Sequence, residues 1–297
     1  MKITITGSLG NISRPLAIQL VQAGHRVTVI SSQENKRSAI EALGAAAAIG
    51  SVQDEAFLTS AFRGADAVYT MIPPNLQATE FRKYASGIAE QYAAAIRKSG
   101  VRRVVNLSSV GAHLDSGTGP IIGNHDAEAI LNRLDQTSVT HVRACFFYTN
   151  FYGNINMIRN MGIIGSNYPG SSRLVMVHPE DIAAAVAEEL QKTADQNLVR
   201  YISSDERKLQ EVATVLGKAV GIDALAWVEF TDEQSKAGIL KAGISEEMAS
   251  RFVEMGRAVR SGILWSDYDA NKITPSGKHK LESFAGEFAG KFGFVMS

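Results

Sequence analysis

Lys2-Ile3-Thr4-Ile5-Thr6-Gly7-Ser8-Leu9-Gly10-Asn11-Ile12-Ser13 is the stretch that decides the fold. Residues 3–6 form a short β-rich run, and Gly7 ends it. Ile12, Leu16, Ala17, Leu20 and Val21 then recur at helical spacing until Gly24 closes the helix. A strand, a glycine turn and a helix in that order make a phosphate cradle. Gly7 permits the tight turn, and Gly10 lets the backbone approach a pyrophosphate. The charge of that group then faces the helix amino terminus and its unpaired N–H groups. The third glycine usual in such turns is Ser13 here, small enough for close helix–strand packing. Gly7, Ser8, Leu9, Gly10, Asn11 and Ile12 are therefore candidate dinucleotide-binding residues.

Outward from this turn, strand and helix signals alternate. Strands are expected at 27–30, 45–49, 67–72, 104–107 and 139–147, and helices at 33–43, 54–62, 81–96 and 121–134. Such alternation predicts an α/β fold, a doubly wound parallel sheet joined by crossover helices. Ligands of such sheets sit beyond the carboxyl ends of the strands. That points to 7–13, 31–37, 71–75, 108–111 and 146–150, and adds Met71, Ile72, Pro73 and Ser108 to the cofactor candidates. The second strand ends Ile30-Ser31-Ser32, without the Asp or Glu that binds a ribose 2′-hydroxyl in NAD sites. Serine hydroxyls followed by Lys36 and Arg37 suit a 2′-phosphate, which a carboxylate would repel. Ser31, Ser32 and Arg37 thus favour NADP over NAD.

The second half is less regular. Residues 150–170 are rich in Gly and Asn and read as a loop or lobe. Residues 174–178 and 199–202 read as strands, 179–190 and 207–220 as helices, and from Trp227 the chain is a series of short helices. We expect a dinucleotide-binding domain over 1–150, with 173–204 returning to it. A smaller, mainly helical domain over 205–297, with 151–172 contributing, should cover the cleft.

The 297 residues are 45% hydrophobic and 20% charged, ordinary for a globular protein that buries its own core. Lys plus Arg and Asp plus Glu are 30 each, which argues against a nucleic-acid or anionic-membrane surface. The longest apolar run, 45–49, is far short of the ~20 residues that span a bilayer. No signal segment is expected, since Met1-Lys2 leads at once into a strand. The single cysteine, Cys145, fits a cytoplasmic setting and, flanked by Ala144, Phe146 and Phe147, reads as a buried inert thiol. His113, His141, His178 and His279 show no metal-ligand spacing, so no metal is expected.

Several stretches in order resemble the NmrA-like branch of atypical short-chain dehydrogenases/reductases. They are Thr6-Gly7-Ser8-Leu9-Gly10, Met71-Ile72-Pro73-Pro74, Val101-Arg102-Arg103-Val104-Val105-Asn106-Leu107-Ser108-Ser109, Val142-Arg143-Ala144-Cys145-Phe146-Phe147-Tyr148-Thr149-Asn150-Phe151 and Val177-His178-Pro179-Glu180-Asp181-Ile182-Ala183. The resemblance covers nearly the whole chain. It implies a Rossmann domain, NADP(H) binding and a small C-terminal domain forming a cleft over the nicotinamide. That family holds quinone and other small-molecule reductases, and inert regulators that sense the dinucleotide and bind proteins. The Tyr-x-x-x-Lys pair of the wider superfamily is absent after Ser108-Ser109. The helix in which several such reductases keep one lysine reads Ile121-Ile122-Gly123-Asn124-His125-Asp126-Ala127-Glu128, with Asn124 or His125 nearest that place. His125 and Tyr148 are the catalytic candidates, and Tyr148 with Asn150 the candidate cleft wall. The expectation is an NADP(H)-dependent reductase of a small quinone-like or carbonyl substrate. The alternative is a non-catalytic NADP(H) sensor acting through a protein partner.

Overall fold

The structure, a computed structural model, describes residues 1–294. Its first half runs β1 (Lys2–Ile5), α1 (Ser13–Gln22), β2 (Arg26–Ser31), α2 (Arg37–Glu41), β3 (Ala46–Ile49), α3 (Glu55–Phe62), β4 (Ala67–Thr70), α4 (Phe81–Ser99), β5 (Arg103–Ser109), α5 (Ile122–Leu131) and β6 (Ser138–Ala144). The chain then passes through β7 (Phe146–Phe147), α6 (Ile155–Met161), β8 (Ile163–Ser166), β9 (Arg173–Val177), α7 (Pro179–Gln191) and β10 (Leu198–Ile202). It ends with β11 (Asp205–Lys208), α8 (Leu209–Ala219), β12 (Ala226–Glu229), α9 (Asp232–Lys241), α10 (Glu246–Ser261), α11 (Ser266–Ala270) and α12 (Leu281–Phe294). Among the described residues no helix is long and apolar enough to cross a membrane.

Seven strands form one sheet in the order β10-β6-β5-β4-β1-β2-β3, every pair parallel. This is the Rossmann-type doubly wound sheet expected from the alternation. Helices α1 and α7 pack on one face, and α3, α4 and α5 line the other. The central strands β4, β5 and β6 are buried on both faces, which is why they read as near-continuous runs, while the edge strands β3 and β10 are partly exposed. Local signals fix the helix ends. Asp54 caps α3 by accepting from the Phe57 N–H at 3.0 Å, worth about 1 kcal/mol. Gly100, at φ 73°, supplies the left-handed residue that ends α4.

Two elements depart from the sequence reading. The expected strand over 139–147 breaks at Cys145, whose N–H bonds to the Ile202 carbonyl at 3.1 Å. Beyond it β7 joins β9 and β11 in a separate three-stranded sheet. So β9 belongs to the second sheet, while β10 pairs with β6 in the first and α7 packs on it. The expected helix over 33–43 is a 3-10 turn, Glu34–Lys36, followed by the short α2. Residues 150–170, read as irregular, contain α6 and β8, and β8 pairs in parallel with β12. Cys145 is buried, and burial pushes its thiol well above the usual range.

A hydrogen-bonded ladder crosses the sheet under α5. Thr70 Oγ1 donates to Asn106 Oδ1 (3.0 Å), the Asn106 amide to His141 Nδ1 (3.2 Å), and His141 Nε2–H to Asn132 Oδ1 (3.0 Å). That pattern satisfies a neutral imidazole at both nitrogens. Burial pushes His141 down from 6.5 to about 4, with Glu128 opposing and Arg143 adding to the shift. The unfolded chain then binds the extra proton first. Stability should fall as pH drops from 6.5 towards 4, by roughly 3 kcal/mol at the low end from this group. Urea midpoints measured across that range should show the slope, and His141→Gln should flatten it. An unchanged slope in that variant would assign the acid sensitivity to other groups.

Candidate active site

Strand order reverses between β1 and β4, so the loops after these two strands flank the switch point where doubly wound sheets bind ligands. The first of them is the glycine turn. Gly7 has φ 90°, and a Cβ there would stand 2.4 Å from Ser13 Oγ, so only glycine fits. That Ser13 hydroxyl donates to the Thr6 carbonyl at 2.8 Å, tying helix to strand where a third glycine usually sits. Helix α1 has Ile12 at its N-cap position, with no side-chain cap and no acidic residue in its first turn. The Ser8 and Gly10 N–H groups bond to Ile30 and Gly7 carbonyls, whereas those of Leu9, Asn11 and Ile12 have no acceptor among the described residues. Free N–H groups at an uncapped positive helix end form an anion site. The turn therefore fits a pyrophosphate.

The rim beside it comes from the end of β2. Ser31 is buried, and its hydroxyl accepts from Ser8 Oγ at 2.9 Å and from the Gln33 N–H at 3.2 Å. It braces the turn, while Ser32 is exposed. Arg37 is held by Glu34 through two bonds, Nε to Oε1 at 2.6 Å and Nη2 to Oε2 at 3.1 Å, with Glu41 at 3.9 Å. The cation expected for a 2′-phosphate is thus present but already paired.

The second loop leaves β4 through Met71-Ile72-Pro73-Pro74. Tyr92 OH donates to the Met71 carbonyl (2.9 Å) and Tyr84 OH to that of Pro73 (3.1 Å), fixing the segment from α4. Farther along, the Ser245 hydroxyl and N–H donate to the Ala78 and Leu76 carbonyls, which ties the loop to the start of α10. Helix α10 comes so near the start of α5 that a Cβ on Gly119 would meet the Arg251 carbonyl at 2.1 Å. A cavity of about 140 Å³ remains, lined by Ile72, Pro73, Pro74, Phe81, Pro120, Ile121, Gly123 and Asn124. Asn124 is its polar member.

Other predicted site residues are placed elsewhere. His125 Nδ1–H donates to the Ala112 carbonyl (2.9 Å), and the residue is not part of the cavity lining. Tyr148, expected to face the nicotinamide, is fully buried under α12. It stacks on Phe284 at 5.1 Å, its hydroxyl is 3.5 Å from the His279 carbonyl, and burial raises its phenol. Asn150 is exposed in the 3-10 turn Tyr148–Asn154. Ser108, expected at the cofactor, is buried and donates to Glu128 Oε1 at 2.5 Å.

That Ser108 bond opens a network the sequence reading did not include. Arg143 Nε and Nη2 reach Glu128 Oε1 and Oε2 at 3.0 and 2.7 Å, and Arg143 Nη1 reaches Tyr201 OH and Asp267 Oδ2 at 3.0 Å each. Tyr201 OH also donates to Asp267. Burial alone would raise Glu128, but the Arg143 guanidinium and Ser108 hold its carboxyl below the usual range. The only signal in the sequence was an arginine inside a strand otherwise made for burial.

The profile of the NmrA-like family matches residues 1–285. The chain belongs to the NmrA-like family. One curated relative, (4-alkanoyl-5-oxo-2,5-dihydrofuran-3-yl)methyl phosphate reductase of Streptomyces griseus, is 25% identical over 228 residues, 75% of this chain and 77% of that protein. Among solved structures, Citrobacter sp. triphenylmethane reductase superposes with a TM-score of 0.80 at 18% identity, covering 98% of this chain and 100% of that one. An NADPH-dependent quinone oxidoreductase of Escherichia coli, solved with NADPH, gives 0.78 at 18% identity, covering 99% and 100%. These two show that the NmrA-like fold extends over nearly all of this chain.

Proposed function

We propose that this NmrA-like protein binds NADP(H) and reduces a small quinone-like or carbonyl-bearing substrate. One observation carries the reading: an uncapped, glycine-lined helix end stands at the sheet's switch point, and an apolar cavity opens beyond the adjacent strand. Leu9, Asn11 and Ile12 would hold the pyrophosphate by their N–H groups, and Ser32 and Arg37 the ribose phosphate. Bound NADPH would supply a hydride. Ile72, Pro73, Phe81 and Ile121 would exclude water from the acceptor. The Asn124 amide would orient the acceptor's oxygen by a hydrogen bond. No tyrosine or lysine lines this cavity, so the geometry suits an acceptor that takes hydride without a strong protein acid, as a quinone does. The three relatives named above are two reductases and a quinone oxidoreductase, which supports this reading.

NADPH consumption against quinones, aldehydes and enones tests it. Turnover is expected with quinones first, and Asn124→Ala should lower kcat/KM while His125→Ala changes it little. A loss of about 10²-fold or more in His125→Ala would instead make that imidazole the acid. No turnover with any acceptor would favour a non-catalytic dinucleotide sensor.

Cofactor choice gives a second test. Arg37→Ala should weaken NADPH by about tenfold or more and spare NADH, because a hydrogen bond to a charged group contributes roughly 1.5–3 kcal/mol. Equal losses for both cofactors, read by calorimetry, would leave Arg37 tied to Glu34 and outside the site.

A further inference from the structure

We propose that His178, Glu180 and His279 form a three-ligand site for one divalent cation of the zinc class. The site joins the start of α7 to the turn that leads into α12. The two histidines are far apart in sequence, but their rings stack with centroids 4.5 Å apart. One ring nitrogen of each and a Glu180 carboxylate oxygen lie within 4.8 Å of one another.

The hydrogen bonds around His279 prepare it as a ligand. Its Nδ1–H points to Asp181 Oδ1 at 2.9 Å. Asp181 is itself fixed by the Ser204 hydroxyl at 2.6 Å and by the Lys278 and His279 N–H groups at 3.1 Å. A carboxylate on one imidazole nitrogen orients the other towards a metal and raises its basicity. With the proton on Nδ1, the His279 Nε2 lone pair faces Glu180 Oε2 at 3.3 Å. In that tautomer a cation between the two atoms would be held by both.

The spacing is also compatible with a metal. Charged hydrogen bonds run about 2.7–2.9 Å. Two ligands bound tetrahedrally at about 2.0–2.2 Å from zinc stand about 3.3–3.6 Å apart. The Glu180 contact falls there. Coordination through His178 Nε2 would give up the long Glu180 N–H bond to its Nδ1, at 3.2 Å on the first turn of α7. One carboxylate and two neutral imidazoles leave the fourth position of a tetrahedral ion to water. Mixed nitrogen and oxygen donors select zinc, cobalt or nickel over calcium or magnesium, which take oxygen. His178 is buried, while the Glu180 side chain is 56% exposed, so an ion has a route in.

Bound there, the ion would pin α12 over Tyr148 and Tyr152, the aromatic cluster that closes the C-terminal lobe. Protein stripped with a chelator and titrated with zinc should bind one ion per chain by calorimetry. Cobalt should give the strong visible absorption of a tetrahedral centre. Both metals should raise the thermal midpoint of the stripped protein. Glu180→Gln alters an exposed side chain and should keep the fold, as circular dichroism would show. It and His279→Gln should each weaken zinc by more than the roughly 10–100-fold that loss of an outer-sphere partner costs. Absence of saturable binding to the stripped wild-type protein would overturn the proposal. So would unchanged zinc affinity in folded Glu180→Gln. Neither readout depends on NADPH binding or turnover.

Discussion

A folded Gly10→Asp variant is expected to bind NADPH at least about a hundredfold more weakly than wild type, a loss of about 2.7 kcal/mol. The cause is local. A Cβ at position 10 stands 3.0 Å from the Gly7 carbonyl, so the side chain has no room inside the turn and must project from it. Projecting outward, it occupies the approach to the Leu9, Asn11 and Ile12 N–H groups, and its charge repels the phosphates. Gly10 is not among the positive-φ residues, so the substitution leaves the backbone largely unstrained. Calorimetry on a variant with an unchanged thermal midpoint makes the comparison. Unchanged affinity would move the phosphate site away from this turn.

The largest loss of stability is expected from Glu128→Ala. Arg143 is buried and Glu128 is its bidentate partner, so removing the carboxylate strands a guanidinium in the core. Breaking a buried pair from one side costs about 3–5 kcal/mol. For a chain of this size that lowers the thermal midpoint by roughly 10 °C. Adding Arg143→Met should recover part of the loss, because the stranded charge goes with it, while Asp267 keeps only Tyr201. The pair also joins β6 to α5, the helix that carries Asn124, and Ser108 adds β5. Glu128→Ala should therefore lower kcat/KM with Asn124 intact. A destabilisation under about 1 kcal/mol would mean that water already reaches Arg143.

The turn at Gly7–Ser13 was legible because its chemistry lies in the backbone. Glycine there has a steric reason that no neighbour supplies, and uncapped N–H groups follow from the absence of a capping side chain at Ile12. The central strands were legible for a related reason: two buried faces leave near-continuous runs. Side-chain direction was harder. Ser108 lies at a correctly read strand end, yet successive residues of a strand face opposite ways, and this hydroxyl faces α5. Tyr148 was lost to topology, since a 3-10 turn carries it off the main sheet and a helix from the end of the chain covers it. The strand at 173–177 met the same fate, because its partners β7 and β11 cannot be recognised by pattern alone. The Arg37 pairing was within reach, as Glu34 stands three residues ahead of it, the spacing at which helical charges meet. The cluster of His178 and His279 was not, for nothing near either histidine announces the other.

Single-turnover mixing of the preformed NADPH complex with a simple benzoquinone tests the central claim most directly. The account predicts that the reduced-nicotinamide absorbance decays in one phase whose rate depends on quinone concentration. It also predicts slower decay when the transferred hydrogen of NADPH is deuterium. An absorbance that stays constant, although calorimetry shows NADPH bound in the same sample, would contradict it.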